Sequence, residues 1–126
     1  MFVQFNGNPC GRNTGDCVVR AISIVTGMPW EKVYAGLCVE GFAKCTWGNS
    51  NDVWADYLLH LGFTQHKVQG KSKYTIADFA EEHKTGEYVV GTGNHAVAVV
   101  DGNIIDSWDS SREIPAYYFA RKDDAE

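Results

Sequence analysis

The order of the predicted elements indicates an α+β domain, in which a helical part precedes an antiparallel sheet. Residues 17–26 are apolar nearly all round the helix that they would form, which is typical of a helix buried in a core. Residues 87–120 instead contain short strands, two of which flank Asp101-Gly102, a dipeptide typical of two-residue hairpin turns. Because 126 residues suit one domain with its own core, the sequence predicts a single domain over residues 1–126.

Composition and charge argue against two classes of partner. Sixteen acidic residues face eleven basic ones, and no run of Lys and Arg exceeds two residues, so we expect no nucleic-acid binding. No apolar run reaches the ~18 residues that a membrane-spanning helix needs. The first residues lack the basic region and the apolar core of a signal peptide, so we expect a cytoplasmic protein or one exported by another route. The sequence carries no signal for an oligomeric state.

The predicted central helix has recognisable ends. Asp16 is suited to the N-cap, where its carboxylate would accept from free N–H groups of the first turn. Gly27 is suited to the C-cap, because glycine readily adopts the left-handed conformation found there. Cys17 then lies at the positive end of a buried helix, a position that lowers the pKa of a thiol and makes it a better nucleophile. Cys17 is therefore a candidate catalytic residue.

Two further helices are predicted before the sheet. The first begins near Pro29, where the missing N–H costs least, and is broken at Gly41. The second is capped by Ser50 or Asn51 and ends at Gly62. Both carry apolar residues at helical spacing, namely Val33, Leu37 and Phe42 in the first and Val53, Trp54, Tyr57, Leu58 and Leu61 in the second.

The remaining predicted elements are strands and one short helix. Thr75 and Asp78 have the spacing of a capping box, which predicts a helix from there to about Lys84. The Asn, Gly and Pro residues between 6 and 15 predict an irregular loop that leads directly to Cys17. The predicted strands cover residues 2–5, 63–68, 87–91, 95–100, 103–108 and 114–120.

The four cysteines do not predict a metal site. They form two C-x6-C pairs, whereas structural zinc sites mostly use a gap of two to four residues, because a tight turn points both sulfurs at the metal. Disulfides are disfavoured in a cytosolic chain. We therefore expect no metal and no other cofactor, and we expect Cys10, Cys38 and Cys45 to pack as small apolar side chains.

A nucleophilic thiol needs a base, and the base needs a third group that fixes its tautomer. His95 is the candidate base, because it begins a predicted strand directly after the glycine-rich residues 91–94. The other three histidines, at positions 60, 66 and 83, have no acidic partner in an evident geometry. We expect them to be surface or half-buried residues.

The hairpin turn selects the acidic partner of His95. If Asp101-Gly102 is a two-residue turn, residue 95 faces residue 108 on the paired strand. Side chains alternate between the two faces, so Asp106 then shares the face of His95, one diagonal step away. A three-residue turn would favour Asp109 instead. Because Asp-Gly favours the two-residue turn, Asp106 is the predicted partner.

These residues resemble the papain-like cysteine peptidases. The order of Cys17, His95 and Asp106 is that of the superfamily, and Asp106-Ser107-Trp108 is similar to its Asn-Ser-Trp triplet. The Asp-Cys pair and the short spacing from His to Asp are closer to compact members such as NlpC/P60 and C39-like peptidases. The resemblance covers the two ends of the chain. It implies that the helix beginning at Cys17 packs on the C-terminal antiparallel sheet.

The resemblance also implies roles for the site residues. Cys17 would attack a carbonyl carbon and form a thioester, His95 would act as base and then acid, and Asp106 would orient His95. Trp108 would shield the bond between His95 and its partner. The implied reaction is hydrolysis of a peptide, isopeptide or related amide in a peptide or protein substrate, without a cofactor. Transfer of the acyl group to an amine is chemically close.

The groups that would hold the oxyanion are less evident. Members of the family usually place a glutamine six residues before the cysteine, and here that position is Gly11. The backbone N–H of Cys17 can supply one donor. Asn13 is the nearest side-chain amide, and the alternatives are Asn8, Asn6 and Gln4.

A second function remains open. The missing glutamine and the small size also suit a catalytically silent domain of the same fold that binds a protein, such as a phage or mobile-element effector of a host protein. Specificity, in either case, is expected in the loops at residues 6–15, 44–51 and 69–74.

Overall fold

The computed structural model describes residues 1–69 and 73–122, and within them the chain forms an α+β fold. The predicted loop at 69–74 therefore lies partly outside the described residues. No helix in the described ranges is long and apolar enough to cross a membrane. In chain order, the elements are β1 (Phe2–Gln4), α1 (Cys17–Thr26), α2 (Trp30–Ala43), α3 (Asn51–His60), β2 (Phe63–Lys67), α4 (Ile76–Glu82), β3 (Glu87–Gly91), β4 (Ala96–Val100), β5 (Asn103–Asp106) and β6 (Tyr117–Arg121).

The strands form one mixed sheet in the order β1-β5-β4-β3-β6-β2. The prediction of a purely antiparallel, C-terminal sheet is wrong at both edges. The edge strand β1 pairs in parallel with β5, and β2, from the middle of the chain, pairs with β6 at the other edge. Hairpin turns reveal only pairings between neighbours in sequence, whereas a three-residue strand gives no signal for a partner about a hundred residues away.

The sheet lies between two helical layers. One face carries Val89, Ala98 and Phe119, which pack in a single apolar cluster with residues of α1, α2 and α3. The other face carries Val90 and Val97, which pack with residues of α4. Neighbouring strand residues thus point to opposite layers, as the two-residue period of a strand requires.

Helix α1 lies over the centre of the sheet, packed mainly on β4. Ile22 and Val25 are fully buried, so the prediction of a core helix is confirmed. Gly27 ends the helix with φ of 74°, and its N–H donates to the carbonyl of Ser23, as the C-cap prediction requires. The predicted role of the Asp16 carboxylate is wrong, because Asp16 occupies the N-cap without a side-chain capping bond.

The C-terminal turn of α2 differs from the prediction. Gly41 is buried inside the helix and does not break it, because the following loop returns close to its Cα. A Cβ at this position would lie 2.7 Å from the carbonyl oxygen of Thr46. Phe42, predicted on the apolar face, is 86% exposed. The glycine therefore serves close packing of the loop on the helix.

Two local predictions in the second half are confirmed. Thr75 and Asp78 form a capping box at the start of α4. Asp101 and Gly102 have φ of 49° and 79°, and Val100 pairs directly with Asn103, which is the two-residue hairpin. This hairpin sets the register between the start of β4 and the end of β5, where the candidate site lies.

Candidate active site

The structure brings His95 and Asp106 into contact. Asp106 is the last residue of β5, and His95 directly precedes β4. The Nε2 atom of His95 lies 2.7 Å from Oδ2 of Asp106, and the two side chains are only 10% and 2% exposed. The predicted pairing is confirmed, and the alternative Asp109 instead accepts from the hydroxyl of Ser111 at 2.6 Å.

Cys17 lies next to this pair. Its thiol is close enough to the His95 ring and to the backbone N–H of Ala96 for both to lower the pKa of the thiol. Because Asp106 engages Nε2, the ring nitrogen available to the thiol is Nδ1. The contact arises because the helix that begins at Cys17 packs on β4, the strand that His95 precedes.

The surroundings of Cys17 favour its thiolate. Burial raises the pKa of the thiol, whereas the neighbouring His95 ring and the Ala96 N–H lower it. The positive charges of His95 and Arg20 act in the same direction, so the pKa lies below its ordinary value.

The surroundings of His95 favour its protonated form. Burial lowers the pKa of the imidazole, but the hydrogen bonds to Asp106 and Cys17 raise it to about 9. A thiol with a lowered pKa beside an imidazole with a raised pKa is an arrangement that favours a thiolate–imidazolium pair.

The carboxylate of Asp106 accepts four hydrogen bonds from described residues. Besides His95, it accepts from the hydroxyl of Ser110 at 2.6 Å, the backbone N–H of Ser107 at 2.8 Å and Nη1 of Arg20 at 3.0 Å. Burial raises the pKa of this carboxyl, but the hydrogen bonds from His95, Ser110 and Arg20 and the charge of His95 hold it below its usual range. The carboxylate is therefore ionised and fixed in orientation.

Sequence reasoning missed Arg20, which is buried beside the site. Its Nε donates to Oδ1 of Asp16 at 2.8 Å, while Nη1 donates to Asp106. Asp16 also accepts from Nδ2 of Asn8 at 3.1 Å and from Nε1 of Trp30 at 3.0 Å. The sequence did contain a signal for this network, namely a single cation in a helix predicted to be buried. A buried arginine needs anionic partners, so its presence there indicates nearby carboxylates.

Trp108 lies against His95, with ring centroids 4.8 Å apart and planes tilted by 41°. Its indole remains 45% exposed, so it stands between the imidazole and solvent. This is the position expected for a side chain that shields the bond between His95 and Asp106.

The structure places Asn13 in an exposed part of the loop before α1, and its side chain makes no hydrogen bond within the described ranges. The predicted alternatives hold the chain instead: Asn8 binds Asp16, Asn6 donates to the carbonyl of Arg12, and Gln4 donates to that of Ser107. As the first residue of α1, Cys17 itself presents a backbone N–H without an intrahelical partner.

The other cysteines and histidines lie apart from these contacts. Cys10, Cys38 and Cys45 are free and exposed, so the prediction that they pack as small apolar residues is wrong. Within the part of the chain that the structure describes, no group of three His, Cys, Asp or Glu side chains is placed to hold a metal ion. Other partners engage the three remaining histidines, namely Glu40 for His60, Thr64 for His66 and the Phe79 carbonyl for His83.

A groove of about 740 Å³ adjoins the start of α1. It runs between α2 and the two loops predicted to carry specificity at residues 6–15 and 44–51. Trp30 and Tyr34, whose rings stack at 5.1 Å, line it together with Trp47 and Asp16.

Comparison of the chain with protein-family models, with curated proteins and with solved structures gives no match.

Proposed function

We propose that the chain is a cysteine hydrolase that cleaves a peptide, isopeptide or related amide through a thioester on Cys17. The observation that supports this most strongly is the position of His95, whose Nε2 binds the buried carboxylate of Asp106 and whose ring lies beside the Cys17 thiol. We also propose that the fold is papain-like, because a helix beginning at the cysteine packs against a sheet whose strands carry the histidine and the aspartate.

The first half of the reaction forms the thioester. The Cys17 thiolate attacks the carbonyl carbon of the substrate, and a carbon–sulfur bond forms. The tetrahedral oxyanion accepts a hydrogen bond from the Cys17 N–H at the positive end of α1. The imidazolium of His95 then gives its proton to the amide nitrogen, and the carbon–nitrogen bond breaks.

The second half releases the acid. Neutral His95 takes a proton from a water molecule, whose oxygen attacks the thioester carbonyl. The carbon–sulfur bond breaks, the carboxylic acid leaves, and the thiolate–imidazolium pair is restored. Asp106 stays ionised throughout and fixes the ring, while Trp108 excludes water from the bond between them. Asn13, in the exposed loop before α1, would supply the second hydrogen bond to the oxyanion.

Acylation by p-nitrophenyl acetate tests the proposed function. We expect rapid release of one p-nitrophenolate per chain, followed by slower turnover, with the acetyl group on the tryptic peptide of residues 13–20, which holds only Cys17. His95→Ala should reduce the rate about 100-fold or more. Cys38→Ala, which removes an exposed thiol, is the matched control and should behave like the native chain. Equal rates for Cys17→Ala and the native chain would overturn the proposal.

A protein-binding domain without catalysis is the second candidate, and one observation favours it. The outer side of α2 and the loop after it expose large apolar side chains, including Phe42 and Trp47, which are 86% and 82% exposed. If binding is the function, a chain with Cys17→Ala keeps it in full, whereas a hydrolase with this substitution binds its substrate without product release.

A further inference from the structure

We propose that Arg20 is a positioning residue that ties the helix carrying Cys17 to the strand carrying Asp106 and thereby fixes the thiol against the imidazole. The inference rests on the proposed function, because it concerns the geometry of the same site. It assigns a role to a residue that does not touch the reacting atoms.

The contacts of Arg20 join two parts of the site. Arg20 follows Cys17 by three residues in α1, so both side chains lie on the same side of the helix. Its Nη1 reaches 3.0 Å to Oδ1 of Asp106, and the other oxygen of that carboxylate binds His95. One carboxylate therefore contacts a cation from the helix and the histidine from the sheet.

The other bonds of Asp106 cannot perform this task. Ser107 and Ser110 follow Asp106 directly in the chain, so they orient its carboxylate within their own segment. Among the hydrogen bonds that Asp106 accepts within the described residues, the one from Arg20 comes from α1. Arg20 therefore links the helix of Cys17 directly to the carboxylate of Asp106.

Arg20 is itself fixed from a second direction. Its Nε donates to Asp16 at 2.8 Å, and Asp16 is held by Asn8 and by Trp30 at the start of α2. A guanidinium is planar, so binding two carboxylates through different N–H groups fixes its plane as well as its position. Lysine, a point charge on a flexible stem, cannot reproduce this geometry.

Burial of the network also favours positioning over simple stability. The side chains of Arg20 and Asp16 are each 7% exposed, and that of Asp106 is 2% exposed. Burying charges costs desolvation that their mutual attraction often fails to offset, so apolar residues of similar volume would stabilise the core at least as well. The retained charges specify one arrangement of α1 against β5.

Alkylation of Cys17 by iodoacetamide, followed from pH 4 to 9, tests the inference. The titratable and charged groups around the thiol are His95, Arg20 and Tyr117, with Asp106 and Asp16 behind them. Mass spectrometry of the tryptic peptide of residues 13–20, or 13–32 when Arg20 is replaced by Gln, reports on Cys17 alone.

We expect Arg20→Gln to lower the alkylation rate at pH 6 about tenfold, the effect of one unit in the thiol pKa. Arg20→Lys keeps the charge and the fold but loses the planar double contact, so its rate should fall about threefold, between those of the Gln variant and the native chain. Arg121→Lys is the matched control, because Arg121 also ties α1 to the sheet, by donating to the Val25 carbonyl at the other end of the helix. It should keep the native profile.

The outcomes separate the inference from the proposed function. If native Cys17 alkylates with a lowered pKa and folded Arg20→Lys matches it at every pH, the positioning role is overturned and the proposed function stands. If native Cys17 alkylates like an ordinary thiol, both are overturned. If Arg20→Gln does not fold, the Arg20→Lys profile alone decides: native rates refute positioning, and a reduced rate at pH 6 supports it.

Discussion

The two ends of helix α1 are each tied to the sheet by an arginine, but in different surroundings. At the C-terminal end, Arg121 of β6 binds Glu87 and the Val25 carbonyl, and the two charged side chains are 39% and 38% exposed. At the N-terminal end, Arg20 binds Asp16 and Asp106 out of contact with solvent. An exposed pair and an apolar helix face suffice to hold a helix on a sheet, so the buried ions at the other end need a different explanation. The proposed chemistry of Cys17 supplies one.

The largest expected difference between the two ends is in stability. Asp106→Ala removes a buried carboxylate that the Arg20 guanidinium binds. We therefore expect the free energy of unfolding to fall by about 3–5 kcal/mol. Glu87→Ala, the matched change at the exposed pair, should cost less than about 1 kcal/mol. Urea denaturation monitored by tryptophan fluorescence measures both. Equal losses would mean that the buried pair and the exposed pair contribute equally to stability, which would contradict the difference expected between the two ends of the helix.

The pH dependence of stability gives a smaller difference. Burial lowers the pKa of His95, but Asp106 and Cys17 raise it to about 9, above the ~6.5 of the unfolded chain. A raised pKa adds stability that is fully present below pH ~6.5 and is lost as the pH rises through about 9. The Cys17 thiol has the opposite dependence, so the experiment uses Cys17→Ala.

In the Cys17→Ala chain, Asp106 still raises the pKa of His95. We therefore expect its free energy of unfolding to fall by about 1–2 kcal/mol more between pH 6 and 10 than that of a chain that also carries His95→Gln. If the free energy of unfolding changes equally with pH in the two chains, Asp106 does not stabilise the protonated form of His95. That result would contradict the raised pKa of His95.

The smallest expected effect is that of Trp108. Trp108→Ala opens the bond between His95 and Asp106 to water, which weakens the bond and shifts the pKa of His95. We expect Cys17 acylation to slow about fivefold, with a stability loss of about 1 kcal/mol or less. Ile114→Ala, at a side chain 52% exposed, should change neither. Titration of the His95 ring by NMR would detect the shift, and an unchanged titration would exclude the shielding role.

Local signals in the sequence predicted the C-terminal end of α1 and the register of the hairpin formed by β4 and β5. Gly27 ends the helix, and Asp101-Gly102 fixes the register that brings Asp106 to His95, because each depends only on the conformation of neighbouring residues. The contact of Cys17 with His95 also follows the prediction. The parallel pairing of β1 with β5 had no such signal, because the partners are far apart in sequence.

The charged part of the site was less predictable. Asp16 was expected to cap the helix, but a buried Arg20 takes its carboxylate, and the sequence alone does not show that Arg20 is buried with two partners. The loop around Asn13 has no regular period, so the direction of its side chains depends on bonds such as that from Asn8 to Asp16. The partner of Asp16 and the direction of the loop side chains both depend on tertiary contacts, which the sequence alone does not show.

The pH dependence of iodoacetamide alkylation, measured in the native chain and in His95→Ala, tests whether His95 activates the Cys17 thiol. Cys10, Cys38 and Cys45 are exposed and serve as references within the same molecule. We predict that Cys17 reacts as a thiolate well below the ~8.5 of a free thiol, and that His95→Ala removes this advantage while leaving the references unchanged. Slow labelling of Cys17, equal in the two chains, would contradict the account.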